Sequence, residues 1–231
     1  MGRPDAAADD RPREAAVIVE VGVPRRSRAP KGEGDRLRDE ILAATERLLL
    51  DTGDASAVSV RAIAEAVGVT PPSIYLHFAD KDALIYAVCE MEFAKLDEVL
   101  EDAVAGVDDP VESLRRRGRA YIQFGVDHPE HYRILLMGKE DFTREDFEAG
   151  RIPGISSFMS LVANVQACID AGAFAPRDPM LVACGLWAAV HGITSLRITM
   201  PGFPVVHTAD DLVDHVMEVL ALGLATSDRV L

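Results

Sequence analysis

The run GVTPPSIYLHFADKDAL, Gly68 to Leu84, puts two adjacent prolines where the flanking apolar spacing asks for a helix, followed closely by a tyrosine and a histidine. Pro71 and Pro72 need not break anything. The first four N–H groups of a helix have no internal partner, so two prolines there forfeit no hydrogen bond, and their fixed φ starts the helix. With Thr70 as its cap, the run predicts a short helix between Thr70 and Phe78. Asp80 then caps a longer helix that continues past Leu100.

Upstream, Leu37, Ile41, Leu42, Ala44, Thr45, Leu48 and Leu49 form an apolar stripe at helical spacing, with Gly53 as its stop. A second short helix starts after Ser59 and runs through Ile63, Ala64 and Val67 to Gly68. Val60, Ile63, Val67, Val69 and Ile74 supply a buried wedge. Small Ala64 suits a close helix crossing, and Gly68 a tight turn. With Ile74 and Phe78 inward, Pro71, Pro72, Ser73, Tyr75, Leu76 and His77 remain on the outer surface or its rim. Helix, tight turn, helix is a spacing by which proteins enter the major groove of DNA. An ordinary helical corner inside a bundle has the same spacing.

Further helical patterns cover about 110 to 127, 129 to 137, 153 to 172, 178 to 198 and 210 to 225, with prolines near their starts or in connections. Nothing reads as a strand of consequence, so the chain is all-α. Its 231 residues, 48% of them hydrophobic, can bury one large or two small cores. Residues 1–34 are rich in Ala, Asp, Arg, Pro and Gly and read as a disordered extension, with a short apolar run at Val17 to Val21.

The formal net charge is −14, at first sight wrong for a polyanion partner. Its distribution matters more: +1 over residues 1–34, −4 over 35–84 and −11 over 85–231. Arg25, Arg26, Arg28 and Lys31 form a basic arm able to reach a minor groove or a phosphate backbone, or simply a solvated linker. An acidic body turned away from a duplex is screened beyond about 8–10 Å.

Cys89, Cys168 and Cys184 lack CxxC pairing and read as buried thiols of a reducing compartment. The N-terminal apolar run is interrupted by Glu20 and fails as a secretory signal. The apolar stretch Met180 to Val190 is too short for a bilayer. A cytoplasmic protein with no membrane partner is the expectation.

The stretch from Arg38 to Leu84 resembles the N-terminal domain of the TetR family of bacterial transcriptional regulators. The pattern Gly-Val-x-x-x-(Ser/Thr)-(Ile/Leu)-Tyr-x-(His/Tyr)-Phe-x-x-Lys-x-x-Leu is complete from Gly68 to Leu84. The segment LWAAVHGITSLRI, Leu186 to Ile198, resembles the Trp-x-x-x-His-Gly pattern of one class of that family's C-terminal domains, named WHG after it. Trp187 and His191 share a helix face, and Gly192 is expected to permit close helix approach.

The resemblance implies a three-helix helix-turn-helix head at 35–84 and a helical ligand-binding and dimerisation domain at 85–231. It implies a homodimer that reads palindromic double-stranded DNA and, as a repressor, releases it when a small, largely apolar effector binds. No cofactor is implied. Arg61 resembles the groove-facing arginine of the second helix. Thr70, Ser73, Tyr75 and His77 match positions on phosphates or base edges, and Lys81 matches the lysine that opens the fourth helix. Pro71 replaces a frequent polar base reader, which shifts readout at Pro71, Pro72 and Leu76 toward shape and methyl contacts. Val60 stands where a hydroxyl is frequent, which moves any phosphate contact to Ser59.

Dimerisation is expected through the last two long helices, with stripes at Leu181, Cys184 and Ala188 and at Leu212, Val216, Val219, Leu220 and Gly223. Phe124, His128, Tyr132, Phe158, Leu161, Val165, Trp187 and His191 are the candidate ligand residues. His128, Glu130 and His131 lack a third spaced metal ligand. His191, His207 and Asp211 have no accompanying nucleophile motif. The alternative to a regulator is a small-molecule-binding helical enzyme, or a helical scaffold, with a non-functional head.

Overall fold

Ser59 accepts a hydrogen bond from the Ala62 N–H at 3.2 Å and opens the second helix of the chain, and Asp80 does the same for the fourth through the Ala83 N–H at 2.7 Å. Such local caps fix the head. A computed structural model describes residues 33–136, 143–201 and 207–224, with side chains from 34 and up to 219. The N-terminal extension, its apolar run and basic arm, Met137, Pro204 and the Leu220 and Gly223 side chains lie outside the described residues.

Among the described residues there are ten helices and no strand. They are α1 (Glu33–Thr52), α2 (Val60–Val67), α3 (Pro71–Ile74), α4 (Lys81–Val104), α5 (Pro110–Asp127), α6 (Pro129–Leu136), α7 (Arg144–Glu148), α8 (Ile155–Asp170), α9 (Pro179–Thr199) and α10 (Ala209–Leu224). Gly53 (φ 65°) stops α1 and Gly68 (φ 76°) ends α2, both in the left-handed region open to glycine. The left-handed Gly68 turns the chain so that the Val69 N–H donates to the Ala64 carbonyl.

α1 to α3 and the first turns of α4 close around Ile41, Leu49, Ile63, Ile74, Phe78 and Leu84. The head's core does not stop at 84. α4 runs on without a break, and its Ile85, Val88 and Cys89 belong to that core. α3 is also shorter than expected. It ends at Ile74, and Tyr75 to His77 form a turn closed by Phe78 N–H to the Ile74 carbonyl at 3.1 Å.

In the body, α5 is central and packs against α4, α6, α8, α9 and α10. Its glycines explain how. A Cβ on Gly125 would lie 2.3 Å from Thr194 Cγ2 and 2.7 Å from the Tyr132 ring, and one on Gly118 would meet Val213 at 3.3 Å. The close approach expected at Gly192 is not there, since a Cβ on it meets nothing within 4 Å among the described residues. Gly125→Ala therefore lowers unfolding free energy by about 1–3 kcal/mol through overpacking. Gly192→Ala leaves it unchanged or raises it by up to about 1 kcal/mol. Equal losses in denaturant melts of the two variants would contradict this packing.

α9 is long and apolar enough to cross a membrane, against the expectation from Met180 to Val190, because Ile193, Leu196 and Ile198 extend the apolar run beyond His191. Ala183, Leu186 and Thr194 are its buried side. Leu181, Cys184 and Ala188 are exposed, so Cys184 is not the buried thiol expected, whereas Cys89 and Cys168 are.

Candidate nucleic-acid interface and ligand cavity

The outer surface of the head is built around α3. Pro71 and Pro72 occupy its first positions, and Ile74 and Phe78 point inward. Pro71, Pro72, Tyr75 and Leu76 are exposed, Leu76 by 84%, while Ser73 and His77 are half-buried. Thr70 stands at the cap position, but its hydroxyl does not cap the backbone. It bonds instead to the Ser73 hydroxyl at 3.1 Å. Arg61 and Ser59 are exposed on the α2 side. The Arg38 guanidinium lies 5.1 Å from the Phe78 ring centroid, a cation–π contact that ties α1 to the turn after α3.

Lys81 opens α4 half-buried and faces Asp54. The Ser56 hydroxyl and N–H, and secondarily Lys81, hold the Asp54 carboxyl below its usual range. The lysine thus already has one anionic neighbour. Asp80 is spent on its cap.

The body encloses a cavity of about 520 Å³ between α4, α5, α6, α8, α9 and α10, within the size range of small-molecule sites. Phe158, Leu161 and Trp187, all on the expected list, line it. Phe124 and His128 do not. Their ring centroids lie 5.2 Å apart, with the planes tilted by 53°, beside a shallow depression shared by α4 and α5. Val165 is fully buried among α5, α8 and α9 side chains.

Tyr132 and His191 lie behind the cavity wall. Tyr132 is fully buried, its hydroxyl 2.7 Å from His191 Nδ1 and 3.2 Å from the Tyr121 hydroxyl. Tyr121 in turn accepts from Trp187 Nε1 at 3.2 Å and lines the cavity. Burial holds the His191 pKa below 6.5 and keeps the ring neutral. Burial, then the Tyr132 neighbour, pushes Tyr121 far above the usual phenol range.

Arg117, Tyr121, Ser157 and the α6 residues Ile134 and Leu135 line the cavity as well, beyond the residues expected from the sequence. The available signal was Arg117 and Tyr121 four apart on one helix face, around Gly118.

Two further clusters of titratable groups have structural roles. His131 does not pair with His128 for a metal. Its Nδ1 meets Glu92, and with Glu46 these form the only three-ligand group among the described residues. The Lys95 ammonium already occupies that group, 2.9 Å from Glu46. Asp211 caps α10 reciprocally with Thr208, so it does not assemble with His191. α7 was not foreseen. It is five residues long, held by a Thr143–Asp146 capping box, and buries none of its residues.

Residues 41–88 match the family model described as bacterial regulatory proteins, tetR family, and residues 114–220 the one described as tetracyclin repressor-like, C-terminal domain. The chain belongs to the TetR family. Trp187, His191 and Gly192 fall within the second match. A probable acrEF/envCD operon repressor of Escherichia coli (strain K12) is 26% identical over 196 residues, 82% of this chain and 89% of its own. The HTH-type transcriptional regulator EthR of Mycolicibacterium smegmatis is 28% identical over 107 residues, 46% of this chain; this chain spans 49% of EthR's length. A solved structure from Rhodococcus sp. RHA1, described as a protein with unknown function, superposes with a TM-score of 0.66 at 27% identity, covering 82% of this chain and 96% of its own. The family and these curated relatives are regulators, not enzymes.

Proposed function

We propose that this protein is a cytoplasmic, ligand-responsive transcriptional regulator that binds a palindromic operator as a homodimer and releases it when an apolar molecule fills the body cavity. The observation that carries the ligand response is the place of α6. Its Ile134 and Leu135 line the cavity and also pack against the head's core. A molecule that displaces α6 therefore displaces the surface on which the head rests, and it shifts the equilibrium by its differential affinity for the two arrangements. The exposed prolines, Tyr75 and Leu76 suit a groove by shape and apolar contact, with Arg61 as the polar base reader. The apolar exposed stripe of α9 supports the dimer. Repression is favoured over activation because the probable acrEF/envCD operon repressor is matched over 82% of this chain and 89% of its own, whereas the transcriptional activator FasR of Mycolicibacterium smegmatis is matched over 59% and 57%.

Fluorescence anisotropy with a duplex from the protein's own promoter tests this. Tyr75→Ala combined with Lys81→Ala removes two anchors to phosphate, and affinity falls at least about tenfold with a shallower salt dependence. Unchanged binding would sink the reading.

A further inference from the structure

The cavity wall is apolar except for a few groups, and their bonding states differ. The Tyr121 hydroxyl is spent on Tyr132, His191 and Trp187. Arg117 and Ser157 also line the cavity, yet Arg117 Nε and Ser157 Oγ are buried without a hydrogen-bond partner among the described residues. A guanidinium N–H only donates, and it stays charged at any ordinary pH. Left unmet in a buried place, it costs free energy that an arriving acceptor recovers.

The other end of Arg117 is accounted for. Its Nη2 lies 2.8 Å from Glu101, whose side chain is 58% exposed. Glu101 can return to water at little cost, so Arg117 is free to receive an anion as well as a neutral acceptor. Its neighbours on α5 are committed elsewhere, Arg116 to Glu112 and both Arg115 and Arg119 to Asp214. Arg119 Nε is likewise buried without a hydrogen bond, but it lies 3.1 Å from Asp210 in an ion pair and does not line the cavity, whereas Arg117 does.

We propose that the ligand of this cavity is an apolar molecule bearing a single hydrogen-bond acceptor group, a carboxylate or a carbonyl, seated on Arg117 Nε with Ser157 Oγ as the second polar atom of the wall. This rests on the reading of the cavity as the effector site. An amine-headed molecule of equal length is excluded, because it would bring a second donor-only cation against the guanidinium.

The chain has one tryptophan, and Trp187 lines the cavity, so its emission reports occupancy without DNA. Full-length protein is titrated with decanoate, methyl decanoate and decylammonium. The two acceptor-headed probes bind at least about tenfold more tightly than the ammonium, and their order identifies carboxylate or carbonyl. Arg117→Met and, independently, Ser157→Ala reduce that preference. Decylammonium binding as tightly as decanoate, wild-type preference in both variants, or no response to any probe at about 1 mM overturns the proposal. Selective binding that leaves operator affinity unchanged upholds the ligand class and overturns the cavity's role as the switch.

Discussion

Tyr132→Ala lowers the free energy of unfolding by about 3–5 kcal/mol, the range for removing a large buried ring, and Tyr132→Phe lowers it by about 1–3 kcal/mol. The ring is fully buried on α6, stacked on His191 with 5.7 Å between centroids and edge-on to Tyr121 at 5.8 Å. It fills the space that Gly125 leaves open, so truncation opens a cavity at the crossing of α5, α6 and α9. Loss of the hydroxyl alone strands His191 Nδ1 beside Tyr121, 3.3 Å away, as a poorer partner. Denaturant melts of the two variants check this. A Tyr132→Ala variant within about 1 kcal/mol of wild type would mean that the three helices do not depend on this ring.

The head was legible in the sequence because its determinants are local. Ser59, Asp80, Gly53 and Gly68 each fix one helix end through contacts within four residues, and the stripe from Leu37 to Leu49 has a single buried face. The cavity was less legible. Phe124 and Tyr121 stand three apart on α5, yet one packs tilted against His128 and the other faces the cavity. That difference is set by how α4, α8 and α9 cross α5, through contacts distant in sequence. Nothing in the sequence beyond its spacing from Tyr121 marks Arg117 as cavity lining, because a charged residue on a helix ordinarily marks a solvent face. Here its stem runs along apolar surface and its head reaches Glu101. The motif points to Gly192, whereas the close contacts that need a glycine are at Gly125 and Gly154, where no motif marks them. α7 carries no apolar stripe, and only Thr143 and Asp146 at capping spacing announced it.

Glu92→Leu is expected to cost about 2–3 kcal/mol near neutral pH, below the ~3–5 of a fully enclosed pair because Lys95 and His131 keep part of their water. The Glu92 side chain on α4 is 2% exposed, and it meets Lys95 and His131 of α6, while Lys95 also reaches Glu46 of α1. Burial alone would raise its pKa. The hydrogen bonds from Lys95 and His131 outweigh burial and hold it below 4.5. A carboxyl with a depressed folded-state pKa stabilises above its unfolded value and loses that contribution as pH falls through the folded one. The stability difference between wild type and Glu92→Leu should therefore be full above about pH 5 and shrink below about pH 4, as read by thermal melts across that range. A difference that stays constant down to about pH 3 would show that folding does not lower the pKa of this carboxyl. Because this one group joins α1, α4 and α6, its loss also loosens the head from the helix that lines the cavity. Operator affinity of Glu92→Leu should then respond less to a cavity ligand than that of wild type, even where both variants bind the ligand equally.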